Sequence, residues 1–297
     1  METRRYGNTD MNVSVLGFGG SEIGYDSSVN AGDVKQLLDR ALGEGLNVID
    51  TAECYMNSEE LIGETVSDRR QDYYLFTKCG HASGMSGPDW DPAMLSAQID
   101  RSLKRLRTDY VDVIHLHSCS LEILKQGEVI EVLQKAKQDG KTRYIGYSGD
   151  AQAALWAVES GLFDSLETSL SIADQQAIDL TLPKAKERGM GVVVKRPIAN
   201  AAWVTGQLPQ STYAQPYWHR LQELRYDFLP QPHSIATALR FTLMVPGVHT
   251  AIVGTTKPDR YTSNAAIAAQ GPLSADAYDA IRTRWHEVAK PDWVGLT

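Results

Sequence analysis

The chain has 297 residues, 42% of them hydrophobic and 22% charged, with a formal net charge of -8. This is ordinary soluble globular composition, and the absence of any clustered Lys/Arg patch excludes nucleic acid as a natural partner. No apolar stretch approaches the ~18 residues of a membrane span, and the polar start "METRRYGNTD" lacks the apolar region of a secretory signal. Three cysteines, Cys54, Cys79 and Cys119, form no disulfide framework and fit a reducing compartment, so a cytoplasmic location is expected.

A polar N-terminal segment precedes the first apolar run, "VSVLGFGG", which leads to a helix over about 33–44. "NVIDTA" follows, then a helix from near Ser58, then "YYLFTK". A Gly/Ser-rich loop, "CGHASGMSGPDWD", ends in a helix with Asp91 as N-cap and Pro92 at its first position. Leu95, Ile99, Leu103 and Leu106 repeat along it at helical spacing. Next come "YVDVIHLH", a helix ending near Gly140, "RYIGYSG", a helix from about Asp150, "SLETSLS", a helix near 181–188 and "GVVVKRP". Residues 198–233 read as irregular and rich in Pro, Trp and Tyr. A helix over about 234–244, the run "TAIVGTT" and two more helices complete the chain.

The eight apolar runs are mostly continuous rather than alternating, the pattern of parallel strands buried on both faces. Eight strand–helix units in succession predict a (β/α)8 barrel, one domain over 1–297 with extended loops at its C-terminal face. An open doubly wound sheet is the competing fold. Its Gly-rich phosphate turn would be "GFGGSEIG", but Glu22 stands where the third glycine belongs.

Barrel active sites lie at the carboxyl ends of the strands. Those ends carry Asp50, with Tyr55 just beyond, then Lys78, His115 and His117, Ser148, Glu167 and Ser171, Lys195 and Arg196, and Thr255 and Thr256. A buried lysine is rare unless paired, and Asp50 is the natural partner of Lys78. A phenol has an ordinary pKa of about 10. An ammonium at about 4 Å in an effective dielectric near 20 interacts with a phenolate by about 4 kcal/mol. At about 1.36 kcal/mol per pH unit, that lowers the phenol's pKa by up to roughly three. Each member of an Asp50–Lys78–Tyr55 chain thus has a task, and His117 is placed to orient a substrate oxygen.

"NVIDTAECY", "FTK" and "YVDVIHLH", in that order, resemble the Asp/Tyr/Lys/His tetrad of the aldo-keto reductase family. "GKTRYIGYSG" resembles its strand-five signature and "AIVGTTKPDRYTSN" its C-terminal cofactor segment. The resemblance spans essentially the whole chain. It implies an NADP-dependent oxidoreductase that reduces aldehydes or ketones, with Tyr55 as proton donor, Lys78 and Asp50 tuning it, and His117 orienting the carbonyl. His115 is then a structural core residue. The implied NADP(H) contacts fall on Gly20, Asp50, Ser148, Gly149, Glu167, Lys195, Arg196, Ile198, Gly254, Thr255, Thr256, Arg260 and Asn264. Gly149 replaces the family's usual Asn, Glu167 its Gln, and Lys195 an aromatic ring that stacks on the nicotinamide. Arg260 is expected to hold the 2′-phosphate and to favour NADPH. Tyr25, Trp90, Trp203 and Tyr217 are candidate substrate walls, with the loop 81–91 and residues 198–233 forming the pocket rim.

Two other readings compete. "HLH" resembles the H-x-H ligand pair of a metal-dependent hydrolase, but the remaining histidines complete no ligand set, so no metal is expected. A non-catalytic NADPH-sensing subunit is the second, favoured by the changed nicotinamide contacts. The cysteines flanking the tetrad raise the idea of a thiol-sensitive site, against the simpler one that they are small buried hydrophobes.

Overall fold

In the computed structural model, which describes residues 1–296, the chain opens with an antiparallel hairpin of β1 (Thr3–Arg5) and β2 (Asn12–Ser14). The eight apolar runs follow as β3 (Leu16–Gly19), β4 (Val48–Asp50), β5 (Tyr74–Cys79), β6 (Val111–His117), β7 (Thr142–Ser148), β8 (Ser165–Ser169), β9 (Gly191–Lys195) and β10 (Thr250–Gly254). All eight are parallel and close into a barrel, β10 pairing with β3 so that Ala251 lies opposite Leu16 and Gly254 opposite Gly19. This is the expected (β/α)8 architecture, in a single domain.

The continuous apolar runs arise because each strand feeds two cores. Val48, Phe76, Val113, Val193 and Ile252 point inward and pack inside the barrel. Residues of opposite parity, among them Phe18, Ile49, Leu75, Ile114 and Val192, pack outward against the helices. The helices Ala31–Gly43, Ser58–Val66, Pro92–Leu106, Glu128–Gln138, Ala151–Ser160 and Ser234–Met244 fall where the sequence places them. Asp91 caps its helix by accepting from the Met94 amide at 2.9 Å. Among the described residues no helix is long and apolar enough to cross a membrane.

Three elements escape the sequence reading. The polar N-terminal segment is the hairpin β1–β2, whose strands are too short to show alternation. It plugs the barrel floor: Tyr6 is fully buried, its hydroxyl lies 2.5 Å from Ser165 Oγ, and its ring centroid lies 5.5 Å from that of Phe76. The helix expected near 181–188 is Leu182–Glu187, with Pro183 in its first turn, and a short helix that the sequence reading missed, Gln176–Leu180, precedes it. Residues 198–233 contain the helix Gln215–Leu224. Its buried Tyr217, Leu221 and Leu224 recur at helical spacing, and Pro216 sits in the first turn, where proline needs no backbone donor.

Tyr6 fits because residue 191 has no side chain: a Cβ there would lie 2.2 Å from Tyr6 Cε1. Gly191→Ala is therefore expected to destabilise the fold by about 1–3 kcal/mol through overpacking, read as a lower urea midpoint at unchanged slope. An unchanged midpoint would show that the plug is free to shift.

Candidate active site

The inward-facing strand ends assemble one polar layer above the apolar barrel interior. Register sets it: Lys78 lies opposite His115, His117 opposite Ser148, Ser148 opposite Glu167, and Ser169 opposite Lys195. Beyond Asp50 the chain continues alongside β5, with the Thr51 amide donating to Phe76 O and the Glu53 amide to Lys78 O. Buried Glu53 then ties this segment to the helix Pro92–Leu106 through Arg101 and Arg105. Ser58 Oγ donates to Gly20 O, joining it to the end of β3. Tyr55 is thereby delivered to the mouth of the barrel.

Lys78, Asp50 and Glu167 are each 1% exposed. The Lys78 ammonium donates to the Asp50 carboxylate and to Thr51 O at 3.1 Å, and lies 3.2 Å from Glu167 Oε2. Burial works against its charge, but the two carboxylates outweigh burial and hold it protonated. Burial and the Glu167 charge push the Asp50 carboxyl up. Burial also opposes ionisation of Glu167, but Lys78, His115 and Lys195 hold it below the usual carboxylate range.

Tyr55 is half-buried, and its ring centroid lies 5.3 Å from the Lys78 nitrogen. Burial raises its pKa, Lys78 opposes that rise, and Glu167 and Asp50 add to it, so the net direction is upward. The expected net lowering by Lys78 is corrected. It left out burial, which acts most strongly on the phenol and outweighs the ammonium.

His117 meets Tyr55 edge-on, with ring centroids 5.6 Å apart, and its Nδ1 lies 3.4 Å from Cys54 Sγ. Burial, reinforced by Lys78 and His81, pushes its pKa well down, so the ring is neutral near pH 7. His81 lies 4.9 Å from the His117 ring and 5.0 Å from that of Trp90. No spacing signal in the sequence links His81 to His117. His115 is fully buried beneath this layer, with Nε2 2.8 Å from Ser165 Oγ. Asp50, His115 and Glu167 gather closely enough for metal ligation, yet the Lys78 ammonium already sits against both carboxylates. The thiols are held protonated: burial pushes Cys54 up to about 11 and Cys119 up to about 12, and it raises Cys79 as well. Thiols so held are poor nucleophiles, which favours the simple packing reading.

The expected cofactor residues divide by place. Ser148 Oγ is buried and has no partner within the protein, as suits a hydroxyl waiting for a carboxamide. Gly149 has a steric cause: a Cβ there would lie 2.4 Å from the Tyr147 hydroxyl, which donates to Cys119 O. Lys195 lies 3.3 Å from buried Asp150, which also accepts from Thr168 Oγ1 and from the Ser169 amide and hydroxyl. No motif or spacing points to that partner. Arg196 donates to Ser169 Oγ and sits 4.7 Å over the Tyr213 ring, with half-buried Ile198 two residues on. The Gly20 amide donates to Asp50 O. Gly254, Thr255 and Thr256 form the turn into the helix Pro258–Ala268, which carries exposed Arg260 and buried Asn264.

Two candidate walls are corrected. Trp203 is 7% exposed and donates to Ser234 Oγ, and Tyr217 is fully buried with its hydroxyl toward Asp174. Both pack beneath the 198–224 segment instead of facing a pocket. Tyr25, 61% exposed and 6.1 Å from the Tyr55 ring, and Trp90 beside His81 remain at the rim.

The model of the aldo/keto reductase family matches residues 15–285. An oxidoreductase of Bacillus subtilis, YqkF, is 27% identical over 95% of this chain and 96% of its own. L-galactose dehydrogenase of Arabidopsis thaliana is 35% identical, covering 74% of this chain and 70% of its own. The NADH-specific methylglyoxal reductase of Escherichia coli is 26% identical over 96% and 97%. Among solved structures, the holo form of the aldo-keto reductase AKR11C1 from Bacillus halodurans superposes with a TM-score of 0.83 at 29% identity, covering 96% of each chain. The chain belongs to the aldo/keto reductase family and is an oxidoreductase of that family.

Burial holds the pKa of His115 down to about 4, against about 6.5 in an unfolded chain. Between those values the unfolded state binds a proton that the folded state refuses. Stability is therefore lost as pH falls, by about 1.4 kcal/mol per pH unit. Urea midpoints are expected to drop between pH 6.5 and 4, and to drop less steeply in His115→Gln. Equal slopes would assign the acid sensitivity to other groups.

Proposed function

We propose that this chain interconverts a small carbonyl compound and its alcohol, with Tyr55 as the proton-transferring group. The observation that carries the reading is the Tyr55–Lys78 pair at the mouth of the barrel, with His117 edge-on to the phenol. A bound nicotinamide dinucleotide would supply the hydride in reduction and accept it in oxidation. Ser148, Gly149 and Glu167 lie at the nicotinamide end of the proposed site, and Thr255, Thr256, Arg260 and Asn264 at the adenosine end. Arg260 is the sequence feature that speaks for NADP(H).

In reduction the Tyr55 hydroxyl gives its proton to the carbonyl oxygen. The Lys78 ammonium stabilises the phenolate left behind, and Asp50 and Glu167 keep that ammonium charged inside the barrel. Neutral His117 contributes a hydrogen bond: the Cys54 thiol faces Nδ1, which leaves the Nε2 proton for a substrate oxygen. The activities for which the relatives from Arabidopsis thaliana and Escherichia coli are named, on a sugar and on a small ketoaldehyde, support a small polar carbonyl substrate.

Tyr55→Phe is expected to lower kcat for 4-nitrobenzaldehyde reduction by at least about 100-fold, with cofactor affinity unchanged. Near-normal turnover would remove Tyr55 from the chemistry. Glu167→Gln deletes one of the two negative charges that oppose the Tyr55 phenolate. The pH profile of alcohol oxidation is expected to move to lower pH, and a profile that stays in place would show that Glu167 does not tune the phenol.

A further inference from the structure

We propose that Glu22 makes the cofactor cleft selective for the dinucleotide that lacks a 2′-phosphate, so that the chain works with NAD(H). The inference rests on the reading above that the turn after β10 holds the adenosine end of the cofactor.

Glu22 stands in the first turn of the short helix Ser21–Tyr25, directly after β3. The end of β3 is paired with the end of β10, Gly19 opposite Gly254. Glu22 therefore reaches across the strand boundary, and Ser21 Oγ donates to its Oε2 at 2.9 Å. Its carboxylate fills the volume that a side chain at position 254 would need. A Cβ on Gly254 would meet Oε2 at 1.7 Å, Cδ at 2.1 Å and Oε1 at 2.4 Å. No lysine or other cation can grow from position 254 while Glu22 keeps this place. The carboxylate thus sits at the head of the Thr255–Thr256 turn.

Its charge is not neutralised by the protein. Among the described residues Glu22 has no Lys, Arg or His partner within ion-pair distance, and burial of its carboxyl group raises its pKa from the ordinary value. An ionised carboxylate only accepts hydrogen bonds. It can take protons from the 2′- and 3′-hydroxyls of a ribose, the contact by which acidic residues recognise NAD in dinucleotide folds. A 2′-phosphate offers no such proton at neutral pH and brings like charge to the same place. Arg260 and Lys257 pull the other way, but both are exposed and neither is held by an ion pair among the described residues. A guanidinium can also lie on the face of an adenine ring instead of meeting a phosphate. Ser21 Oγ donates to the Glu22 carboxylate beside Gly254, whereas the Lys257 and Arg260 side chains make no hydrogen bond within the protein among the described residues.

The test is calorimetric titration of the intact protein and of Glu22→Gln with NAD+ and with NADP+. A matching melting temperature verifies that the variant keeps the fold. The wild-type chain is expected to bind NAD+ at least about tenfold more tightly than NADP+. In the variant the NADP+ dissociation constant is expected to fall by about tenfold, while that for NAD+ rises no more than a few fold, which is roughly 1.4 kcal/mol of selectivity. Tighter NADP+ binding by the wild type, or an unaltered ratio in the variant while both ligands bind, overturns the inference and leaves the cofactor site standing. Binding of neither dinucleotide overturns the cofactor-site reading and this inference with it.

Discussion

The structure turns on one constraint: an ammonium group lies inside the barrel with almost no access to water. Lys78 is tolerable there only because Asp50 and Glu167 reach it from two other strands. That requirement fixes which strand ends must carry acids, and register delivers them. It also sets the electrostatics of everything within reach. Two carboxylates keep the lysine charged, but they leave the cluster with an excess of negative charge, and Tyr55 feels that excess. Lys195 obeys the same rule, since Asp150 provides its counter-charge within the same layer.

The layer divides labour by depth. Below it lie Tyr6, Phe76 and Ile252, an apolar filling beneath the charges. Just beneath it, His115 pairs its Nε2 with Ser165 and stays neutral, while within it the Ser148 hydroxyl has no partner in the protein. At its rim, Tyr25, Trp90 and His81 give a wall of flat rings around Tyr55 and His117. Charges are compensated in the depth and left open at the edge, where Glu22 stands.

The parts legible in the sequence were those where one residue type has one place to go. Eight continuous Val/Ile/Leu runs separated by helical periodicity left little besides a parallel barrel, and polar residues at their ends marked its active face. What escaped was pairing across long separations. Nothing in the order of residues announced that Glu167 would lean on Lys78, that Asp150 would hold Lys195, or that Glu22 would lie over Gly254. These contacts are set by register between strands that are far apart in the chain. The N-terminal hairpin escaped for another reason: strands of three residues are shorter than the window in which alternation can be recognised. Trp203 and Tyr217 were misplaced because an aromatic residue in an irregular segment reads alike whether it faces a pocket or the core.

The seam between β3 and β10 carries one more consequence, for biosynthesis. The barrel closes only when residues 250–254 meet residues 16–19, the first barrel strand joining the last. Until the ribosome has released nearly the whole chain, the sheet has two open edges, and each presents unpaired backbone donors and acceptors. Such distant pairing is slow to form. The nascent protein therefore has to wait, as an unfinished sheet vulnerable to association with its neighbours, for its last strand to arrive.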